Sequence, residues 1–114
     1  MSRDPLLYLA DMVEVCERIV AYTQGVDAAA LRSDGRTIDA IVRNLEVLGE
    51  AAKRVAPEDK LRGSSVPWRE IAGMRDVLIH DYFGIDLDLV CDAALAKVPL
   101  ILPVLRDLVR TRDS

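Results

Sequence analysis

The apolar residues of this chain recur at steps of three and four, and no stretch shows the two-residue alternation of a half-buried strand. Such a chain buries its apolar surface by packing helix on helix. Leu6, Leu9, Val13, Cys16 and Val20 form one stripe, opened by Pro5 and followed by Gly25. Ile38, Ile41, Leu45, Leu48, Ala52 and Val55 form a second over roughly 35–55, with Asp34 as its side-chain cap. Between them, residues 27–32 fit one short helical piece. Arg43, Glu46, Glu50, Lys53 and Arg54 occupy the opposite face of the second long helix, where Glu50 and Arg54 stand at ion-pair spacing. Pro57 ends that helix, and residues 57–66, with Gly63-Ser64-Ser65, read as a connection. Pro67 opens a third long helix that Gly84 terminates. A fourth runs from about Leu87 to Arg110, and Pro99 and Pro103 predict a kink or split in it. The expectation is an all-α antiparallel bundle of four main helices plus one short helix, in a single domain over residues 1–114.

Composition narrows the function classes. The longest charge-free runs, Ile19–Val26 and Val98–Leu105, are eight residues each, far below the ~20 that span a bilayer. The first segment is broken by Asp11, Glu14 and Glu17, unlike a signal peptide, so a cytoplasmic protein with no membrane partner is expected. Two cysteines, Cys16 and Cys91, and one histidine, His80, are too few for a conventional zinc site, and no cofactor is expected. The cysteines read as small buried hydrophobes. A net charge of −4 argues against a general nucleic-acid coat. Yet twelve of the fifteen basic residues are Arg, whose fork grips phosphate in two places, so a local anion site fits inside an acidic whole.

The third long helix departs from a plain amphipathic pattern. Trp68, Ile71, Ala72, Leu78, Ile79 and Tyr82 form its stripe, and Arg75 falls inside it. A guanidinium there needs a carboxylate, a phosphate or a water-filled cleft. An ion pair with Glu46, Glu50 or an Asp is the simplest account. On another side Gly73, Asp76 and His80 stand at steps of three and four. Asp76 is therefore one turn below His80, where a carboxylate orients an imidazole and favours its protonated form. Gly73 removes a side chain where a second helix would approach. Arg75 and His80 point about 140° apart on an ideal helix. One copy does not focus both on one small group unless the helix unwinds or two copies pool their residues.

The stretch Arg75-Asp-Val-Leu-Ile-His80-Asp-Tyr82 resembles the Arg-x4-His-x-Tyr signature of the HepT-like toxins in the HEPN ribonuclease superfamily. The Pro67-Trp68 opening and the Gly49-Glu50-Ala51 helix are similar too, and the likeness spans nearly the whole chain. The resemblance implies a HEPN-like bundle that forms a two-fold homodimer, with Arg75 and His80 catalytic in metal-independent RNA cleavage and Asp76 supporting them. It also implies an MNT-type nucleotidyltransferase antitoxin as partner, which adds AMP to Tyr82. Asp76 stands where relatives often carry Asn. Arg43, Lys53, Arg54 and Arg69, with Arg62, are candidates for the RNA approach, although solvated helix faces account for them equally. The alternative is a non-catalytic helical substrate- or nucleotide-binding partner of a minimal nucleotidyltransferase.

Overall fold

The computed structural model describes Asp4, residues 6–79 (the backbone only at Ile79) and residues 84–112. Helices α1 (Leu6–Tyr22), α2 (Ala28–Arg32), α3 (Gly35–Arg54), α4 (Pro57–Arg62), α5 (Trp68–Ile79), α6 (Leu87–Asp92) and α7 (Val98–Arg112) follow one another. No strand occurs among the described residues. The core lies where α1 packs on both α3 and α7, while α5 packs on the outer side of α3. All six residues of the α3 stripe, Ile38 to Val55, are buried as their spacing requires. In α1 the buried line is Leu9, Met12, Cys16 and Ile19, whereas Val13 and Val20 are only partly buried. Leu9 and Cys16 of the expected stripe are in the core, and Met12, Val15 and Ile19 are buried beside them, because helix α1 is flanked by two neighbours and buries a broader arc than one seam.

Aspartate side chains cap the starts of α2, α3 and α6. Asp27 accepts from the Ala30 amide at 2.8 Å, Asp34 from the Thr37 amide at 3.2 Å, and Asp86 from the Leu89 amide at 3.1 Å. The Thr37 hydroxyl also donates to Asp34 at 2.6 Å, and this pair of bonds holds the Asp34 carboxyl below its ordinary range. Gly84 adopts φ +139°, a conformation that side-chain-bearing residues avoid.

The expected fourth helix runs unbroken from Leu87 to Arg112, but a π-helical turn, Ala93–Lys97, joins α6 to α7. There the Val98 amide reaches back five residues to the Ala93 carbonyl. Pro99 follows at once, so the widened turn precedes the place where a proline removes a regular amide bond and crowds the preceding turn. Pro103 sits inside α7 without ending it.

Residues 57–66 are not a bare connection. Pro57 opens α4, which buries Asp59 to 1% exposure. Proline ends the helix before it and equally suits the first position of the next, where its missing amide proton costs nothing. Asp59 accepts from Arg112 at 2.5 Å and Arg62 at 3.2 Å, while Arg62 reaches the Leu108 carbonyl at 2.9 Å. The Trp68 indole donates to the Gly63 carbonyl at 3.0 Å, and a Cβ on Gly63 would stand 2.5 Å from a Leu108 methyl. These contacts tie the entry of α5 to the end of α7.

Candidate functional site

Glycine in a helix interior costs about 1 kcal/mol relative to alanine, so one that persists there has a packing reason. At Gly49, in the middle of α3, an added Cβ would stand 3.0 Å from the Ile71 carbonyl oxygen and 3.1 Å from the Cβ of Arg75. Backbone lies on backbone at this point, and Arg75 sits at the closest approach of α5 to α3. At Gly73, where the sequence leaves room for another helix, from this chain or a second copy, nothing among the described residues of the other elements comes within 4 Å of the Cβ position. The close-packed glycine is on the partner helix.

Of the acidic partners considered for Arg75, Glu50 is the one that meets it, with Oε2 3.4 Å from Nε. Both side chains are more than a third exposed, at 37% and 39%, so this is an ion pair at the edge of water rather than inside the core. The other carboxylate oxygen of Glu50 accepts from Arg54 Nη2 at 2.8 Å and Nε at 3.2 Å. The Arg54 hydrogen bonds hold the Glu50 carboxyl below the ordinary range. Desolvation opposes them, and the charges of Arg75, Arg54 and Lys53 add to them. One turn on, Lys53 Nζ lies 3.9 Å from Asp76 Oδ1. Asp76 therefore pairs across to α3, and its expected contact with His80 lies outside the described residues, as do His80 and Tyr82 themselves.

Glu50, Lys53, Arg54, Arg75 and Asp76 thus form one exposed belt across the α3–α5 seam, with three positive and two negative charges. Of the basic residues expected along an RNA path, Lys53 and Arg54 belong to it. Arg43 lies seven residues before Glu50 on α3, about 10 Å along the axis, and Arg69 is in the first turn of α5. Both are exposed. Arg62 is committed to the α4–α7 corner. Among the described residues, no three His, Cys, Asp or Glu side chains gather as metal ligands, and no helix is long and apolar enough to cross a membrane. Cys16 and Cys91 are both free and buried, as expected. Desolvation pushes the Cys16 thiol up to about 12, against a smaller lowering by Arg106, with Glu17 adding to the rise.

The far side of α5 is open. Between it and the α6–α7 helix runs an apolar groove of about 850 Å³, floored by Ile71, Val98 and Ile101 and edged by Met74, Val77 and Leu100. Val77 is 55% and Leu100 74% exposed. Glu70 stands on one wall and Lys97 on the other.

Among the described residues the bundle is all-helical, and it holds Arg75 at a water-accessible seam between two helices, five residues before the chain's single histidine in sequence. The chain belongs to the HepT-like ribonuclease family, whose model matches residues 12–110. A "putative RNase" of Caldanaerobacter subterraneus subsp. tengcongensis is 37% identical over 97 residues, covering 85% of this chain and 87% of that protein. A "putative RNase" of Methanocaldococcus jannaschii is 37% identical over 99 residues, covering 86% and 81%. A "probable ribonuclease HepT" of Thermococcus cleftensis is 36% identical over 99 residues, covering 87% and 90%. No solved structure matches the chain.

Proposed function

We propose that this protein is the toxin of a HEPN/MNT pair, a metal-independent endoribonuclease in which Arg75 and His80 are catalytic. The observation that carries the reading is the state of Arg75. Its guanidinium is partly exposed, and the nitrogen that lies nearest Glu50 is Nε, at 3.4 Å. The two terminal amino groups are the ones that hold two oxygens of a phosphodiester. His80 is the only side chain here whose ordinary pKa lies near neutrality. In this mechanism the ribose 2′-oxygen attacks phosphorus as His80 takes its proton, and the 5′-oxygen leaves carrying a proton returned by an imidazolium. Arg75 stabilises the charge that builds on the phosphorane oxygens, an effect worth roughly 3–4 kcal/mol for a well-placed donor. The products are a 2′,3′-cyclic phosphate and a 5′-hydroxyl.

The reading pairs two copies across a two-fold axis. The open apolar groove supports it, because Val77 and Leu100 on its edges are exposed apolar side chains that a second copy would cover. Silencing by a cognate nucleotidyltransferase would place AMP on Tyr82, two residues from His80, adding bulk and negative charge where RNA must enter.

Purified protein and His80→Ala are compared on RNA in EDTA. Wild type is expected to cleave and leave cyclic phosphate ends, and the variant to be slower by about 10²–10⁴-fold. Equal rates, or cleavage that EDTA abolishes, refute the scheme. A folded but inactive wild type that binds the nucleotidyltransferase selects the partner-subunit alternative. Intact mass after co-expression with that enzyme tests the silencing, and an unchanged mass rejects it.

A further inference from the structure

Arg75 is useful only if its fork is aimed, and a four-bond side chain at an exposed seam has many rotamers to lose. Two neighbours on α3 act on it together. Gly49 seats its Cβ at 3.1 Å from the position a Gly49 Cβ would take, which fixes the root of the side chain against α3. Glu50 then meets Nε at 3.4 Å with one carboxylate oxygen, while Arg54 grips the other oxygen through two nitrogens. The carboxylate is thus itself oriented, and the Arg75 nitrogen nearest to it is Nε rather than either terminal amino group, the groups that a phosphate needs.

We infer that Glu50, aligned by Arg54, is a positioning residue that holds the Arg75 guanidinium by Nε so that its two terminal amino groups remain available to the scissile phosphate. This rests on the ribonuclease reading above. The opposing account makes Glu50 an internal anion that competes with phosphate for Arg75, and the two accounts differ in sign. Positioning predicts that neutralising Glu50 slows the chemical step, whereas competition predicts tighter RNA binding with no loss of rate.

The test is steady-state cleavage of a short RNA by wild type, Glu50→Gln, Glu50→Asp, Arg75→Lys and the double variant Glu50→Gln/Arg75→Lys, each with a thermal melt. Displacing a catalytic group by about 1 Å costs on the order of 100-fold. Glu50→Gln is therefore expected to lose about 10- to 100-fold in kcat with KM changed less than about 3-fold. Glu50→Asp should recover part of the loss, and Glu50→Gln should add less than about 3-fold in the Arg75→Lys background. That last result separates a role through Arg75 from a general structural one. Wild-type or higher kcat in Glu50→Gln, a loss carried by KM alone, or losses that multiply in the double variant overturn the proposal while leaving the ribonuclease reading intact. Inactivity of both Glu50 variants with a matching drop in melting temperature assigns Glu50 to the fold and also overturns it. A wild type that cleaves no RNA removes the ribonuclease reading, and this proposal falls with it.

Discussion

Alanine at Gly49 sets two opposed effects against each other. A helix-interior Gly→Ala change gains about 1 kcal/mol in intrinsic propensity. Here, however, the new methyl would stand 3.0 Å from the Ile71 carbonyl oxygen and 3.1 Å from the Arg75 Cβ. Carbon contacts are optimal near 3.5–4.0 Å, so the Arg75 contact falls short by about 0.4–0.9 Å. Neither obstructing atom is the free end of a side chain. One is backbone and the other is bonded to it, so relief requires α5 to move as a body. Overpacking of this kind costs about 1–3 kcal/mol, and the middle of that range less the propensity gain leaves Gly49→Ala about 1 kcal/mol less stable. In a domain of this size that is a fall of about 4 °C in melting temperature, readable by calorimetry or circular dichroism. Cleavage should fall by more than stability does, because the shift moves the root of Arg75. A variant that melts above wild type, showing the propensity gain without penalty, refutes the close-approach argument.

Asp59→Ala should cost about 2–3 kcal/mol, at or below the lower end for a broken buried pair, because Arg62 and Arg112 are 37% and 26% exposed and can turn to water; a melt within about 2 °C of wild type would contradict it. Glu50 has a folded-state pKa below its unfolded value, so its stabilising contribution is complete above the ordinary glutamate range near 4.5 and disappears as pH falls through the lower folded value. The gap in melting temperature between wild type and Glu50→Gln should therefore hold from pH 7 down to about 5 and close only in stronger acid; a gap that widens on acidification would reverse the sign. Leu100→Asp, at a position 74% exposed in one copy, should leave the fold intact yet convert a dimer to a monomer by light scattering, and an unchanged mass would clear the groove of that role.

The bundle was legible because burial writes itself at helical spacing: every residue of the α3 stripe is in the core. Misreadings arose where a residue type serves two purposes. Pro57 stops one helix and starts another; the split expected at the prolines falls as a π turn just before Pro99, while Pro103 stays inside α7. At the site, spacing along α5 does not show that Lys53 reaches Asp76 from α3 or that Glu50 meets Arg75. Cross-helix partners depend on the crossing angle and on which faces meet, and neither is encoded in one helix's periodicity. The signal for Gly49 was present as a glycine in the middle of a well-formed amphipathic helix, but an exposed-looking Gly73 carried the same signal. Only the neighbours distinguish them.

Helix α5 leans on α3 and has its other flank against an open groove, whereas α3 is held between α1 and α5. Local opening free energies follow buried contact, so amide protons of α5 should exchange with solvent well before those of α3. The segment bearing Arg75 can then loosen, rotate or be recaptured without the rest of the molecule unfolding, and substitutions that tune its motion carry little penalty for the survival of the chain.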